Sequence, residues 1–127
     1  MILAVDPGRQ KAGLVLYCPR EGLVDSRIIN REDFEDYWEE IEETYRIEKV
    51  IIGNGTGFDF FRSLLAEKNK KVFLINEEGS SEEARRIFFQ ENPPRGLKKL
   101  IPRGLLTPPG AIDDYAARVL LYRFLKK

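Results

Sequence analysis

The sequence Met1-Ile2-Leu3-Ala4-Val5-Asp6-Pro7-Gly8 begins the chain and decides its fold more than any other stretch. Its apolar residues are continuous from position 2 to position 5, and the turn-forming residues Asp6-Pro7-Gly8 end the run. A short, unbroken apolar run of this kind is typical of a strand that is buried on both faces of a sheet. We therefore interpret residues 2–5 as a central strand.

The segments that follow predict a single α/β domain spanning residues 1–127. Further strands are predicted at 14–17, 23–29, 49–53 and 72–75, and helices at 34–45, 58–68, 80–92 and 111–125. The first three strands are joined by short turns, which is typical of an antiparallel meander. Asn30 is the expected start signal of the first helix, and Ser80 with Glu83 has the spacing of a capping box. The order β-β-β-α-β-α-β-α-α indicates a five-stranded mixed sheet with helices on both faces.

Composition excludes several classes of active site. The chain has no histidine and one cysteine, Cys18, so it has neither a histidine general base nor an internal disulfide. A bound metal would be held by carboxylate or backbone oxygens, the ligands of Mg²⁺ and Mn²⁺. Basic and acidic residues both number 21, so net charge alone gives no reason to expect a nucleic-acid partner. No apolar stretch reaches the ~20 residues of a membrane span, and the N-terminus lacks a basic signal-peptide region, so we expect a cytoplasmic protein.

Three acidic segments lie where a fold can bring them together. Asp6 ends the first strand, and Glu77 follows the last one. Asp113 and Asp114 lie in the first turn of the final helix. Because sites in open sheets form just outside the strand ends, these carboxylates are expected to converge, and their mutual repulsion then favours a divalent cation. Each acid also has an ordinary interpretation, as a turn residue, a solvated loop residue or a favourable charge at a helix N-terminus.

Four short motifs lie along the chain in a fixed order. They are Leu3-Ala4-Val5-Asp6-Pro7-Gly8 with Gly13, Ile52-Gly53-Asn54-Gly55-Thr56, Ile75-Asn76-Glu77-Glu78-Gly79-Ser80-Ser81 with Glu83-Ala84, and Asp113-Asp114-Tyr115-Ala116-Ala117. Together they resemble the RuvC/YqgF-like branch of the ribonuclease H-like nucleases, over essentially the whole chain. The second motif is similar to the YqgF-like domain of the transcription accessory protein Tex. The resemblance implies a ribonuclease H-like fold.

The resemblance also implies that Asp6, Glu77 and Asp113 are catalytic acids that bind Mg²⁺ or Mn²⁺, with Asp114 as the substitute for Asp113. Asp6 would bridge two ions and the other two acids would each hold one of them, an arrangement that hydrolyses phosphodiesters without histidine. Two features depart from the family. The motif around Glu77 has a further acid, Glu78, where resolvase-type YqgF proteins have arginine, and Ala116 stands where the RuvC resolvase has another aspartate.

Two further segments are candidate nucleic-acid contacts. Asn54 and Thr56 lie in a glycine-rich turn before a helix, where backbone N–H groups can receive a phosphate, although an ordinary tight turn has the same pattern. Residues 92–110 contain five of the seven prolines, no acid and one predicted helical turn at 97–101. The basic residues of this segment are Arg95, Lys98, Lys99 and Arg103. They are expected either to contact backbone phosphates or to lie on a solvated loop.

These features predict a metal-dependent endonuclease that acts on branched DNA, as a Holliday junction resolvase does, or on structured RNA. A symmetric junction would require a homodimer. The alternative is a nucleic-acid-binding module of the same fold that does not cleave, which the resemblance to Tex favours. A third interpretation, a sugar-kinase or actin-like ATPase, rests on Asp6 and Gly8 alone and conflicts with the two-domain architecture of those proteins. Three carboxylates within reach of one metal would favour the enzyme over the binding module.

Overall fold

A mixed sheet of five strands forms the centre of the protein. A computed structural model describes residues 1–55, 57–68, 70–102, 108 and 110–126, except for the side chains of residues 97 and 98. The strands are β1 (Ile2–Pro7), β2 (Lys11–Cys18), β3 (Gly22–Asn30), β4 (Lys49–Gly53) and β5 (Lys71–Ile75). The α-helices are α1 (Phe34–Thr44), α2 (Phe58–Ala66), α3 (Ser80–Glu91) and α4 (Asp113–Leu125). Short 3₁₀ turns at Arg31–Asp33 and Gly96–Leu100 precede α1 and follow α3. The predicted α/β class and element order are confirmed. None of the helices, within the described ranges, is long and apolar enough to cross a bilayer.

The strands follow the order β3-β2-β1-β4-β5 across the sheet. β1 and β3 both run antiparallel to β2, whereas β4 and β5 run parallel to β1. The carboxyl ends of β1, β4 and β5 therefore lie at one edge of the sheet. This edge is where Asp6 meets the segments that follow β4 and β5.

Helices cover both faces of the sheet, as the unbroken apolar pattern of β1 requires. Successive side chains of a strand point to opposite faces. Leu3 and Val5 accordingly pack with α1 and α2, whereas Ile2 and Ala4 pack with α4. α4 contacts all five strands, and α3 packs on α4. Because Asp6 follows Ala4 by two residues, it lies on the face that α4 covers.

The two predicted helix-start signals lie where helical turns begin, but neither forms a capping hydrogen bond. No side chain caps α3 with a hydrogen bond, and the residue before the helix is Gly79, which has a left-handed conformation with a φ of 75°. Ser80 is instead the buried first residue of the helix, and the carboxylate of Glu83 pairs with Arg123 of α4. A long-range ion pair has thus replaced the local capping bond. Asn30 likewise makes no side-chain cap, and α4 begins two residues later than predicted.

Candidate functional site

Asp6 and the start of α4 are brought together by a glycine. Asp6 is paired in register with Gly13 of β2. The space that a side chain at Gly13 would need is occupied by the first turn of α4. A Cβ at Gly13 would overlap the carbonyl oxygen of Asp113 and lie 2.7 Å from the amide nitrogen of Asp114. Glycine at this position therefore lets the backbone of α4 lie directly against the sheet, next to Asp6.

Glu77 reaches the same edge of the sheet from the connection between β5 and α3. Its carboxylate lies over the turn that follows β4, where a Cβ at Gly53 would overlap its Oε1 and a Cβ at Gly55 would overlap its Oε2. The Glu77 side chain therefore lies against bare backbone. The N–H group of Glu77 donates to Oδ1 of Asn54 at 3.1 Å. Oε1 of Glu77 is buried and has no hydrogen-bond partner among the described residues.

Asp6 and Glu77 are close enough for each to change the ionisation of the other. The pKa of Asp6 is raised from 3.8 to about 8, first by burial, then by the charge of Glu77, by a hydrogen bond between the two side chains and by the charge of Asp113. Burial also raises the pKa of Glu77, while hydrogen bonds from Asp6 and from the backbone of Gly55 lower it. At neutral pH the two carboxyl groups therefore share one proton. A cation between them would displace that proton and give Oε1 of Glu77 the partner that it lacks.

The two acids at the start of α4 have different neighbours. The charge of Asp113 contributes to the raised pKa of Asp6, so Asp113 lies within the electrostatic reach of the pair. Asp114 instead accepts a hydrogen bond from the hydroxyl group of Ser26, in β3, at 3.2 Å. Asp113, rather than Asp114, is therefore the acid of α4 that belongs with Asp6 and Glu77.

Asp6 and Glu77 supply oxygen atoms of the kind that hard cations prefer as ligands. Mg²⁺ commonly binds proteins through one or two carboxylates, with waters and substrate phosphates completing its coordination. Asp6 and Glu77 are two such carboxylates, and one of their oxygens is buried without a partner among the described residues. No group of three or more Asp, Glu, Cys or His side chains in the described ranges is arranged to hold a metal ion. Asp113 would have to turn toward the pair to become a third ligand.

Of the two residues expected to bind phosphate after β4, the described part of the chain contains one. The side-chain oxygen of Asn54 accepts the N–H of Glu77, and its own N–H donates to the carbonyl oxygen of Ile75 at 3.1 Å. Asn54 therefore joins the turn after β4 to the turn after β5. Thr56 lies outside the described residues.

The basic residues of the 92–110 segment are only partly described. Arg95 and Lys99 are exposed beside and within the 3₁₀ turn Gly96–Leu100, which confirms the predicted helical turn. The side chain of Lys98 and the whole of Arg103 lie outside the described residues. No described contact joins Arg95 or Lys99 to the carboxylate pair.

Sequence reasoning missed two cations near the pair. Arg9 is exposed in the turn between β1 and β2, three residues after Asp6 and hence within about 10 Å of it along the chain. Lys11 is exposed at the start of β2 and alternates with Gly13, so it shares the face of the sheet on which Asp6 lies. Neither cation forms an ion pair with a described residue. The predicted antiparallel pairing of β1 with β2 could have identified them, because it places the turn between the two strands, and therefore Arg9 and Lys11, beside Asp6.

Comparison with known proteins assigns no family to the chain. No protein-family model matches it, and no curated protein matches it either. The function is therefore inferred from the geometry and chemistry of the site.

Proposed function

We propose that this protein is a divalent-metal-dependent endonuclease, a single domain with the ribonuclease H-like fold of the RuvC/YqgF-like branch, and that it cuts branched DNA or structured RNA. The observation that carries the proposal is the Asp6–Glu77 pair, with the charge of Asp113 beside it. Carboxyl groups with strongly raised pKa values at the end of a sheet are typical of functional sites, because their burial is otherwise unfavourable. The antiparallel order of β1 to β3, followed by two parallel strands, supports the fold assignment.

The residues of the site have distinct tasks in this proposal. A bound Mg²⁺ or Mn²⁺ would neutralise phosphate charge and lower the pKa of the attacking water. Asp6 and Glu77 would hold the ion through carboxylate oxygens, and Asp113 would add negative charge that strengthens its binding. Because the shared proton must leave before the ion binds, cation affinity rises with pH up to about 8, the pKa of Asp6.

Cleavage of a substrate panel tests the proposed activity. We expect the purified protein to cut a four-way DNA junction or a structured RNA in the presence of Mn²⁺ or Mg²⁺, and not in EDTA. A linear DNA duplex of the same composition is the matched control for branching. Equal cutting with and without EDTA, or no cutting of any substrate with either ion, would contradict the proposal.

Arg9 and Lys11 are proposed to contact the backbone phosphates of the substrate. Arg9 lies in the turn that follows the strand of Asp6, and Lys11 shares the face of the sheet on which Asp6 lies, where a polyanion must approach two acids. We expect Arg9→Gln combined with Lys11→Gln to weaken binding to the junction about tenfold and to reduce its salt dependence by about two phosphate contacts. Arg95→Gln combined with Lys99→Gln is the control, with a smaller expected loss. The dissociation constant for the junction is measured by fluorescence anisotropy at several salt concentrations. A larger loss of affinity in the control variant would contradict the prediction and would indicate that the 92–110 segment makes the phosphate contacts instead.

A nucleic-acid-binding module of the same fold that does not cleave is the second candidate. It is favoured by the lack, in the described ranges, of a group of three acids arranged for a metal. The same panel distinguishes the two functions. Tight binding to a junction or an RNA without cleavage in Mn²⁺ would support the binding module and reject the enzyme.

A further inference from the structure

We infer that Arg123 and Asn54 are positioning residues that clamp the peptide group between Asn76 and Glu77 and thereby direct the Glu77 carboxylate toward Asp6. This inference rests on the function proposed for the Asp6–Glu77 pair. It assigns a task to two residues that contact the backbone beside the carboxylate pair.

The clamp holds both polar ends of one peptide group. Nη1 of Arg123 donates to the carbonyl oxygen of Asn76 at 2.7 Å. The N–H group that follows, of Glu77, donates to Oδ1 of Asn54 at 3.1 Å. The carbonyl and the N–H belong to a single planar unit, so bonds at both ends prevent the plane from rotating. The N–Cα bond of Glu77 is thereby fixed, and the N–H of Ser80, which donates to the carbonyl oxygen of Glu77 at 2.8 Å, restrains the rotation about it.

Each residue of the clamp is itself held in place. The N–H group of Asn54 donates to the carbonyl oxygen of Ile75 at 3.1 Å. Nη2 of Arg123 forms an ion pair with Oε1 of Glu83, in α3, at 2.9 Å. The guanidinium group therefore joins α4, α3 and the turn after β5, and its bond to the carbonyl is charge-assisted and stronger than a neutral one.

Glu77 needs such a clamp because its position is unfavourable without a cation. Its Oε1 is buried without a hydrogen-bond partner among the described residues, so an unrestrained side chain would turn away into solvent. The turn after β5 is short and contains Gly79, with a φ of 75°, so other backbone conformations are open to it. Two fixed hydrogen bonds on one peptide group oppose both movements.

The clamp also connects Glu77 with the acid of α4. Asp113 begins this helix, and Arg123 lies ten residues later, about 15 Å along the helix axis. One rigid element thus places Asp113 beside Asp6 and holds the backbone that carries Glu77. The site is assembled when α4 packs on the sheet.

The experiment uses the full chain and two independent variants, Arg123→Met and Asn54→Ala. Amide hydrogen exchange of Glu77, measured by NMR without metal and relative to the core amides of β1, reports the clamp directly. We expect this exchange to be at least tenfold faster in both variants. Mn²⁺ binding, followed by the thermal shift that the ion produces, is expected to weaken about 10–100-fold, the usual cost of losing a residue that orients a ligand. Loss of kcat is expected to exceed the change in KM.

Two variants separate positioning from general packing. Glu83→Gln removes the ion pair of Arg123 and leaves the bond to Asn76, so Glu77 exchange should change less than threefold. Arg118→Met removes another ion pair between α4 and α3, that of Arg118 with Glu91, and should leave Glu77 exchange unchanged relative to β1. Unchanged Glu77 exchange in Arg123→Met and Asn54→Ala, or an equal acceleration in Arg118→Met, would overturn the inference. Failure of the wild-type protein to bind Mn²⁺ or to cut would reject the proposed function, while Glu77 exchange would still decide whether the clamp exists.

Discussion

Replacing Asp6 with asparagine should reduce metal-dependent cleavage on the order of 10³-fold and leave the protein folded. The amide keeps the size of the side chain but removes the negative charge that, with Glu77, holds the cation against a phosphate. In dry, preorganised sites the loss of one such electrostatic contact has effects of this size. Single-turnover cleavage of a four-way junction in Mn²⁺ makes the measurement. The same variant should also lose the increase in Tm that Mn²⁺ gives the wild-type protein.

Asp6→Asn should at the same time stabilise the metal-free protein, and the gain should depend on pH. Because the pKa of Asp6 is raised from 3.8 to about 8 on folding, the folded state binds a proton that the unfolded state has released. The free energy of unfolding of the wild-type protein therefore falls as pH rises from about 4 to about 8. The asparagine variant lacks this contribution, because its side chain does not ionise. Allowing for partial exposure of Asp6, we expect the variant to gain about 2 kcal/mol at pH 8 and almost nothing near pH 4.

Asp36→Asn, the same chemical change on the exposed face of α1, is the matched control for both measurements. It should leave cleavage, Tm and the pH dependence of stability close to those of the wild-type protein. Cleavage that persists in Asp6→Asn would contradict the proposed site. A Tm difference between Asp6→Asn and the wild type that stays constant from pH 4 to pH 8 would show that folding does not raise the pKa of Asp6.

The parts of the fold that follow from local sequence patterns were predictable. The unbroken apolar runs of β1 and β4 identify strands buried on both faces, and apolar spacings of four, three and four identify α1. The same patterns place Asp6 and Glu77 at the same edge of the sheet, at the ends of β1 and β5 with β4 between them, because the carboxyl ends of parallel strands share one edge. These predictions needed only periodicity and the parallel arrangement of the strands.

The remaining features depend on contacts between residues distant in the chain, which local patterns do not encode. Glu83 has the spacing of a capping residue, but Arg123, 40 residues away, pairs with its carboxylate. Asn54 lies in a turn typical of phosphate binding, but the N–H of Glu77, 23 residues away, occupies its side-chain oxygen. In each case a tertiary partner replaces the local one. Whether Asp113 turns toward the pair is decided by side-chain rotation at the helix start, which neither periodicity nor spacing specifies.

Replacing Gly13 should also have a large effect. The residues next to Gly13 in the sequence do not explain why a glycine stands there, but the backbone of Asp113 does, because it occupies the space of a Cβ at position 13. Gly13→Ala should push the first turn of α4 away from β2, since the new Cβ would overlap the carbonyl oxygen of Asp113. The atom that it meets belongs to backbone within a helix and cannot turn aside. Overpacking of this kind costs about 1–3 kcal/mol, and a displacement of about 1 Å at a reacting centre can lower the rate about 10²-fold. We therefore expect a lower Tm and about 10²-fold slower cleavage in Mn²⁺.

Gly110→Ala is the control for this substitution, because nothing lies within 4 Å of the Cβ that it adds. It should leave Tm and cleavage close to wild-type values, since it adds a methyl group in open space. Binding of a four-way junction in the absence of metal should be similar for both variants, because neither change removes a positive charge. A Gly13→Ala protein with wild-type Tm would mean that α4 does not lie against β2 as described. A lower Tm with unimpaired cleavage would mean that the position of Asp113 beside Asp6 does not matter to the reaction, and the site would then consist of the Asp6–Glu77 pair alone.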